Sequence, residues 1–364
     1  MKLHKILKSI LLASSTLLVA ISVISASHMA HAQRNYVPSQ VQNTINNQVN
    51  HMSNRRKLEQ LFVVTSPSNH YIHSYHPGGV LLIGNDFTTR SAIRARINSM
   101  QRASGHNLLI GTDVEGGEVN RLRNIYPHPN YLSPSAEYSH AGMNGIKREY
   151  NAIGRNMRNL GLNWDYAPDT DSGSGYMRFR EVKRRPWTTA NYARNAVSSL
   201  QHHNIAATAK HFPGYRGATD TDFQPTYSNI NKRTFRNDLI PFYHGAVKGH
   251  ADSIMTNSVI FSKISNRPAM MSKSIIMPLR NHFGGVIVTD TLGGGAVRHF
   301  VDTHSGSADY NALKAGNVMI VSDDLPSHIG SLTKDLNKGY LNKRLINNDA
   351  KRILELHYKL GLKY

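Results

Sequence analysis

Apolar and polar positions follow two rhythms along this chain. Short, mostly β-branched apolar runs recur at Leu61–Val64, Val80–Ile83, Leu108–Ile110, Trp164–Ala167, Ala206–Ala209, Ile254–Val259, Val286–Val288 and Val318–Val321. Each is brief and nearly continuous, the pattern of a strand buried on both faces. Between most of them lie stretches with helical spacing. Ala92, Ile93, Ile97 and Met100 share one helix face. Tyr150, Ile153, Met157 and Leu160 share another, with Gly161 as its C-terminal stop. Tyr192, Ala196 and Leu200 predict a third helix, and Ile275, Ile276 and Leu279 a fourth.

Eight strands alternating with helices imply a parallel sheet with right-handed crossovers. Eight such units in one chain of this length predict an α/β fold, a single-domain (β/α)8 TIM barrel. A doubly wound open sheet is the alternative. It would carry a glycine-rich nucleotide loop after an early strand, and none is present. Gly173-Ser174-Gly175 and Gly293-Gly294-Gly295 lack the context of a dinucleotide or phosphate loop and read as flexible loops.

The ends set the domain limits. Lys2, Lys5 and Lys8 precede an apolar stretch from Ile10 to Ile24, and Ala30-His31-Ala32 forms an A-x-A cleavage site. Residues 1–32 therefore read as a secretory signal peptide. Residues 33–51 are polar and read as a linker, and 52–364 as the barrel, with Ser53 as the N-cap of its first helix. Ile353, Leu354, Leu356 and Leu360 mark an amphipathic closing helix. No segment after the signal peptide is apolar enough to span a membrane.

Charge narrows the choice of partners. Lys and Arg number 43 against 23 Asp and Glu, a formal net charge of +20. Such a field concentrates anionic partners without bearing on fold. For an exported chain this points to anionic cell-wall polymer. No zinc-finger, helix-turn-helix or RNA-binding signature accompanies the charge, so nucleic acid is not expected. The chain has no cysteine. For a secreted protein this leans toward a bacterium without an oxidising periplasm.

Barrel enzymes place their chemistry where strands end. Asp113, Glu115 and Arg121 follow the third run, Asp169 and Asp171 the fourth, and Lys210 and His211 the fifth; Asn257 falls within the sixth, and Asp290 follows the seventh. Paired carboxylates with fixed cations suit glycoside hydrolysis. A metal-dependent hydrolase would use similar groups, but the His-x-His and His-Glu-x-x-His spacings of zinc sites are missing. No metal or other cofactor is expected.

These segments resemble the catalytic barrel of glycoside hydrolase family 3, especially its single-domain bacterial β-N-acetylglucosaminidases. Asp113-Val114-Glu115-Gly116-Gly117-Glu118-Val119-Asn120-Arg121 looks like that family's D-x-E-G-G-x-V-x-R. Asn163 to Asp171 is similar to N-x-x-x-A-P-x-x-D, and Lys210-His211-Phe212-Pro213-Gly214 matches K-H-F-P-G outright. Pro268-Ala269-Met270-Met271-Ser272 resembles P-A-x-x-S, and Gly285 to Leu292 resembles G-V-I-V-T-D-x-L. The resemblance implies a retaining mechanism with Asp290 as nucleophile. It also implies that Asp113, Arg121, Lys210 and His211 grip the terminal sugar. A further arginine from the fourth strand's loop is assigned to Arg185, although Arg180 stands at the more usual distance from Lys210.

One segment departs from the family. After K-H-F-P-G those enzymes carry H-G-D-T-x-x-D-S-H, whose Asp-His pair supplies the acid/base. Here Tyr215 to Phe223 occupies that place, with Phe223 at the histidine position. Asp222 or Asp220 is then the acid/base candidate. Two functions follow. One is an active exo-glycosidase on cell-wall amino sugars; the other is a barrel that keeps sugar binding but has lost turnover, acting as a cationic wall-binding protein.

Overall fold

The computed structural model describes residues 37–362, apart from 106–107, 127–129, 174 and 305. The expected signal peptide at 1–32 lies outside the described residues. By its internal contacts the chain divides after Gln42. The described part of the first unit holds the start of a helix, Ser39–His51; the second unit, Asn43–Tyr364, holds the barrel. The segment expected as a polar linker is thus helical from Ser39 on. Ile45 and Val49 are its buried residues, four apart and so on one face. Two apolar positions in a polar run are too few to register as a helical stripe.

Eight strands close a parallel barrel: β1 (Phe62–Thr65), β2 (Gly79–Leu81), β3 (Leu109–Thr112), β4 (Trp164–Asp165), β5 (Ala206–Phe212), β6 (Ser253–Thr256), β7 (Val286–Thr291) and β8 (Met319–Val321). Each strand pairs in parallel with the next in the chain. The ring shuts where Phe62 meets Ile320 and Val63 meets Val321. All eight apolar runs contribute a strand, and the open-sheet alternative falls away.

A boundary difference that matters for the site is at β5. Its apolar run ends at Ala209, yet the strand continues to Phe212 because its backbone keeps finding partners. The Lys210 N–H donates to Pro168 O at 3.1 Å, and Lys210 O accepts from Thr170 N at 2.6 Å. Lys210 and His211 are therefore strand residues, with the rigidity that implies.

The helices follow the predicted stripes. Ile93, Ile97 and Met100 are buried on Arg90–Ser104. Pro134–Leu160 ends at Gly161, whose φ of 92° is the left-handed conformation that favours glycine. Ser53 caps its helix by accepting the Arg56 N–H at 3.1 Å. Helix Lys343–Lys359 closes the chain, burying Ile346, Ile353, Leu354 and Leu356.

Two buried polar groups take over where the strands are short. β4 has only two residues, and the Asn163 side chain extends its pairing: Oδ1 accepts from Ile110 N at 2.8 Å and Nδ2 donates to Leu108 O at 3.0 Å. Inside the barrel, Trp164 Nε1 donates to Thr208 Oγ1 at 2.7 Å and Ser253 Oγ at 3.0 Å. Those two hydroxyls lie 2.6 Å apart, so every polar tip of this cluster has a partner.

A carboxyl under the β4 loop links the fold to pH. Glu181 is buried, and burial, followed by the charges of Asp171 and Asp169, pushes it up to about 9. The folded state therefore binds a proton that the unfolded chain releases near 4.5. The stabilisation this gives is complete below about pH 4.5 and is lost as pH rises toward 9. Glu181→Gln keeps the shape and removes the titration. We expect it to flatten the fall in Tm between pH 6 and pH 9, by roughly 2 °C for each kcal/mol recovered. Parallel Tm–pH curves for variant and wild type would rule this out.

Candidate active site

The charged side chains expected at strand ends meet at the C-terminal mouth of the barrel. Asp113 directly follows β3, and Glu115 lies on the short strand Val114–Gly116 beyond it. Lys210 Nζ reaches both, at 2.6 Å from Asp113 Oδ1 and 2.7 Å from Glu115 Oε1. Arg180 grips Glu115 with both arms of its guanidinium, Nε to Oε2 at 2.8 Å and Nη2 to Oε1 at 2.5 Å. Bidentate pairing of this kind fixes orientation as well as distance. Glu115 is fully buried, whereas the Asp113 side chain keeps 18% of its surface open. Asp113 is thus the member of the cluster that faces the mouth.

The cation from the β4 loop is Arg180, not Arg185. Arg180 directly follows a 3-10 turn, Tyr176–Phe179, which holds it beside Glu115, and its Nε lies 3.6 Å from Asp169 Oδ2. Arg185 is exposed at the start of helix Pro186–His202, where its carbonyl accepts from the Thr189 amide and hydroxyl. Both arginines belong to an irregular loop, in which spacing alone does not say which one turns inward. Arg121 is also exposed. Its backbone N–H donates to Asp113 O at 3.2 Å, and no ion pair joins the two side chains among the described residues.

His211 is held by its neighbours in one tautomer. Nδ1 lies 2.8 Å from Asp171 Oδ2, and Nε2 lies 3.4 Å from Arg180 Nη2. Arg180 can only donate, so Nε2 is the acceptor and Nδ1 carries the proton toward Asp171. Burial, then the charges of Arg180 and Lys210, lower its pKa to about 3. The imidazole is therefore neutral across the working range. Asp171 also accepts from Tyr215 N at 2.7 Å and His211 N at 3.3 Å, while burial pushes it above the ordinary range. Asp169, Asp171 and His211 place donor atoms within 4.8 Å of one another, as metal ligands do. Each is already engaged: Asp169 beside Arg180, and Asp171 by three N–H donors.

Charge balance across the cluster follows from burial and pairing. Burial opposes ionisation of Glu115, but Arg180 and Lys210 outweigh it and bring the carboxyl down to about 2. Burial likewise opposes the charged form of Lys210, and Asp113 and Glu115 more than offset it, so its pKa rises. Glu115, Lys210 and Arg180 are thus held charged, with a neutral imidazole beside them.

The remaining carboxylates lie at the rim. Asp290 is on β7, its Oδ1 accepting from Thr291 N at 2.8 Å. It does not cap the following helix, whose N-cap is Gly294. Burial, then the charge of Asp222, raises the Asp290 pKa, while His211 and Lys210 lower it. Asp222 is exposed on the loop after β5, and its N–H donates to Asp220 Oδ1 at 3.0 Å. Partial desolvation, then the charge of Asp220, raises its pKa, and Arg180 lowers it. Solvent on its open side moderates that rise. The charge of Asp222 is therefore felt at Asp290. Phe223, at the position where the resemblance led one to look for a histidine, is 80% exposed.

Two residues that the sequence did not single out hold this loop. Buried Tyr215 folds it around one hydroxyl, which donates to Thr219 O at 2.8 Å and accepts from Thr221 N at 2.9 Å. Arg216 forks onto Asp238, at 2.8 and 2.7 Å. Asn257 acts as a bolt: its Nδ2 donates to His211 O at 2.9 Å and to Gly214 O at 3.2 Å. A tyrosine directly after a Pro-Gly turn is a signal that could have been read from the sequence. The Arg216–Asp238 pair, 22 residues apart, could not.

Similarity to known proteins agrees with this geometry. A β-hexosaminidase from Methylococcus capsulatus is 29% identical over 282 residues, covering 72% of this chain and 80% of that protein. Among solved structures, a family 3 β-N-acetylglucosaminidase from Paenibacillus sp. FPU-7 superposes with a TM-score of 0.79 at 23% identity. That match covers 85% of this chain, which spans 63% of the Paenibacillus protein. A β-N-acetylhexosaminidase from Beutenbergia cavernae gives 0.75 at 21% identity, covering 83% of this chain and 98% of the other. The glycosyl hydrolase family 3 N-terminal domain matches residues 53–356, nearly the whole barrel unit. Descent and site geometry lead to the same conclusion: the chain belongs to glycosyl hydrolase family 3 and is a glycoside hydrolase.

Proposed function

We propose that this protein is a secreted, retaining exo-glycosidase that removes terminal β-linked N-acetylglucosamine from cell-wall glycans. The substrate class is taken from the Methylococcus and Paenibacillus relatives. One observation carries the mechanism: the Asp222 backbone is bonded to the turn that follows Asp290, Gly295 N–H donating to Asp222 O at 2.7 Å, and the Asp222 charge raises the pKa of Asp290. Asp113, Lys210 and neutral His211 grip the terminal sugar's hydroxyls, with Arg180 in the place assigned to Arg185 and Arg121 at the rim.

Chemistry proceeds in two balanced steps. An Asp290 carboxylate oxygen attacks the anomeric carbon as the glycosidic C–O bond breaks, and the Asp222 carboxyl gives its proton to the departing oxygen. Water then attacks the same carbon, losing its proton to Asp222 and releasing Asp290. Asp220 orients Asp222 through its N–H and keeps its pKa raised. The exposure of Asp222 favours a second reading, a wall-binding barrel with little turnover, because a solvated carboxyl is a weak acid catalyst.

The two readings separate in one assay. The wild type is expected to release the aryl alcohol from an activated aryl N-acetyl-β-D-glucosaminide, and Asp290→Ala to reduce this to background. Measurable sugar binding without release would establish the binding-protein reading instead.

Asp222 has its own signature. Asp222→Ala should slow an alkyl glycoside by about 10²–10⁴-fold and an activated aryl glycoside only a few-fold. In kcat/KM against pH, the wild type should show both limbs above the ordinary carboxylate range, since Asp290 must be ionised and Asp222 protonated. Asp222→Asn should lose the alkaline limb. Equal losses on both substrates, or an alkaline limb that persists, would remove Asp222 from this role.

Without Lys2, Lys5 and Lys8 of the expected signal peptide, the formal charge of +20 becomes 20 − 3 = +17, which supports electrostatic retention on anionic wall polymer. Protein bound to purified walls should elute as ionic strength rises from about 0.05 to 0.5 M, where the screening length shortens severalfold. Retention that ignores salt would contradict it.

A further inference from the structure

Asp222 sits on a loop, yet an acid/base must stand at a fixed distance from the nucleophile. In retaining glycosidases the two carboxyls are about 5–5.5 Å apart. Its anchor is found in the turn that follows the nucleophile. Immediately after β7 the chain runs Leu292-Gly293-Gly294-Gly295 into helix Gly295–Thr303. The Gly295 N–H donates to Asp222 O at 2.7 Å, and the Ala296 N–H donates to Thr221 O at 3.1 Å. N–H groups in the first turn of a helix have no partner within it. Here they are satisfied by the carbonyls of the acid/base candidate and of the residue before it.

The approach is so close that a side chain would block it. A Cβ on Gly295 would stand 2.1 Å from Phe223 O and 2.3 Å from its carbonyl carbon. On Gly294 it would stand 3.1 Å from Thr221 O and 3.6 Å from Asp222 Cα; on Gly293 its nearest neighbour would be Thr291 Oγ1 at 3.5 Å, an ordinary contact. None of the three glycines has positive φ, so backbone strain does not explain them. The turn is not the flexible loop its composition suggests. Its last two glycines form a seat for the 221–223 backbone.

Resting on the reading of Asp222 as acid/base, we propose that Gly295, assisted by Gly294, is a positioning residue for catalysis. The same short stretch that ends in Asp290 and begins the next helix holds Asp222 by its main chain. Nucleophile and acid/base are thus referenced to one strand end, while Tyr215 braces the loop from the other side through the Thr219 and Thr221 backbone.

The test is an alanine series through the turn, with Tm and far-UV circular dichroism measured for each variant. Gly295→Ala places its Cβ against an exposed loop at a position where the helix tolerates alanine, so the fold should persist. On an alkyl glycoside we expect kcat/KM to fall by about 10–100-fold, and on a 2,4-dinitrophenyl glycoside by less than about 3-fold. Azide should accelerate turnover of the activated substrate by Gly295→Ala and yield a glycosyl azide. Gly294→Ala should show a smaller version, and Gly293→Ala none. Adding Gly295→Ala to Asp222→Ala should cost nothing further, since both remove the same function. A uniform loss on both substrates, full additivity with Asp222→Ala, or a Gly295→Ala that behaves as wild type would each overturn the proposal. Should Gly295→Ala fail to fold, Gly294→Ala carries the same comparison. A wild type inactive on both substrates would instead strike down the catalytic reading itself.

Discussion

The site depends on one buried interaction, the clasp of Arg180 and Lys210 on Glu115. A lone carboxylate with no exposed surface would face a desolvation cost of several kcal/mol. The guanidinium fork and the ammonium offset that cost, and hold Glu115 ionised at about 2. The three residues come from the extension of β3, the loop after β4, and β5, so one charge cluster ties three neighbouring strand ends together. Removing either cation leaves Glu115 underpaired, and removing Glu115 leaves two cations facing each other. The cluster acts as a unit.

Around that clasp, burial assigns each titratable group a task. Lys210 and Arg180 stay cationic, and His211 stays neutral because their charges add to its desolvation. Its Nδ1 is committed to Asp171 and its Nε2 faces Arg180. The two rim carboxyls experience the opposite pressure: desolvation raises both, with the charge of Asp222 added at Asp290 and that of Asp220 added at Asp222. One fold thereby keeps a charged cluster of Glu115, Lys210 and Arg180 together with carboxyls whose pKa values are raised. This division of labour follows from which groups have cations beside them and which have carboxylates.

In the loop after β5, where the chain departs from the family, the backbone is held on both sides of Asp222. Phe223 projects into solvent, but the main chain on either side of Asp222 is bonded into Tyr215 and into the start of the helix after β7. Glycine at the end of that turn permits a carbonyl-to-backbone approach that any side chain would block. A loop held in this way trades mobility for a constant distance between its carboxyl and the nucleophile.

The sequence by itself determined the barrel and most of its mouth. Strands buried on both faces must be apolar throughout, so all eight are visible as runs, and a strand end must turn polar, so Asp113, Lys210, His211 and Asp290 stand out at the right edge. Tertiary structure decided what periodicity cannot carry. Arg180 replaces Arg185 because an irregular loop has no repeat to say which residue turns inward. The Ser39–His51 segment is a helix because two buried side chains outweigh a polar composition. Gly293-Gly294-Gly295 looks like slack in one dimension. It is a seat because a loop more than 70 positions earlier in the chain passes within bonding distance, and only the closed barrel brings the two together.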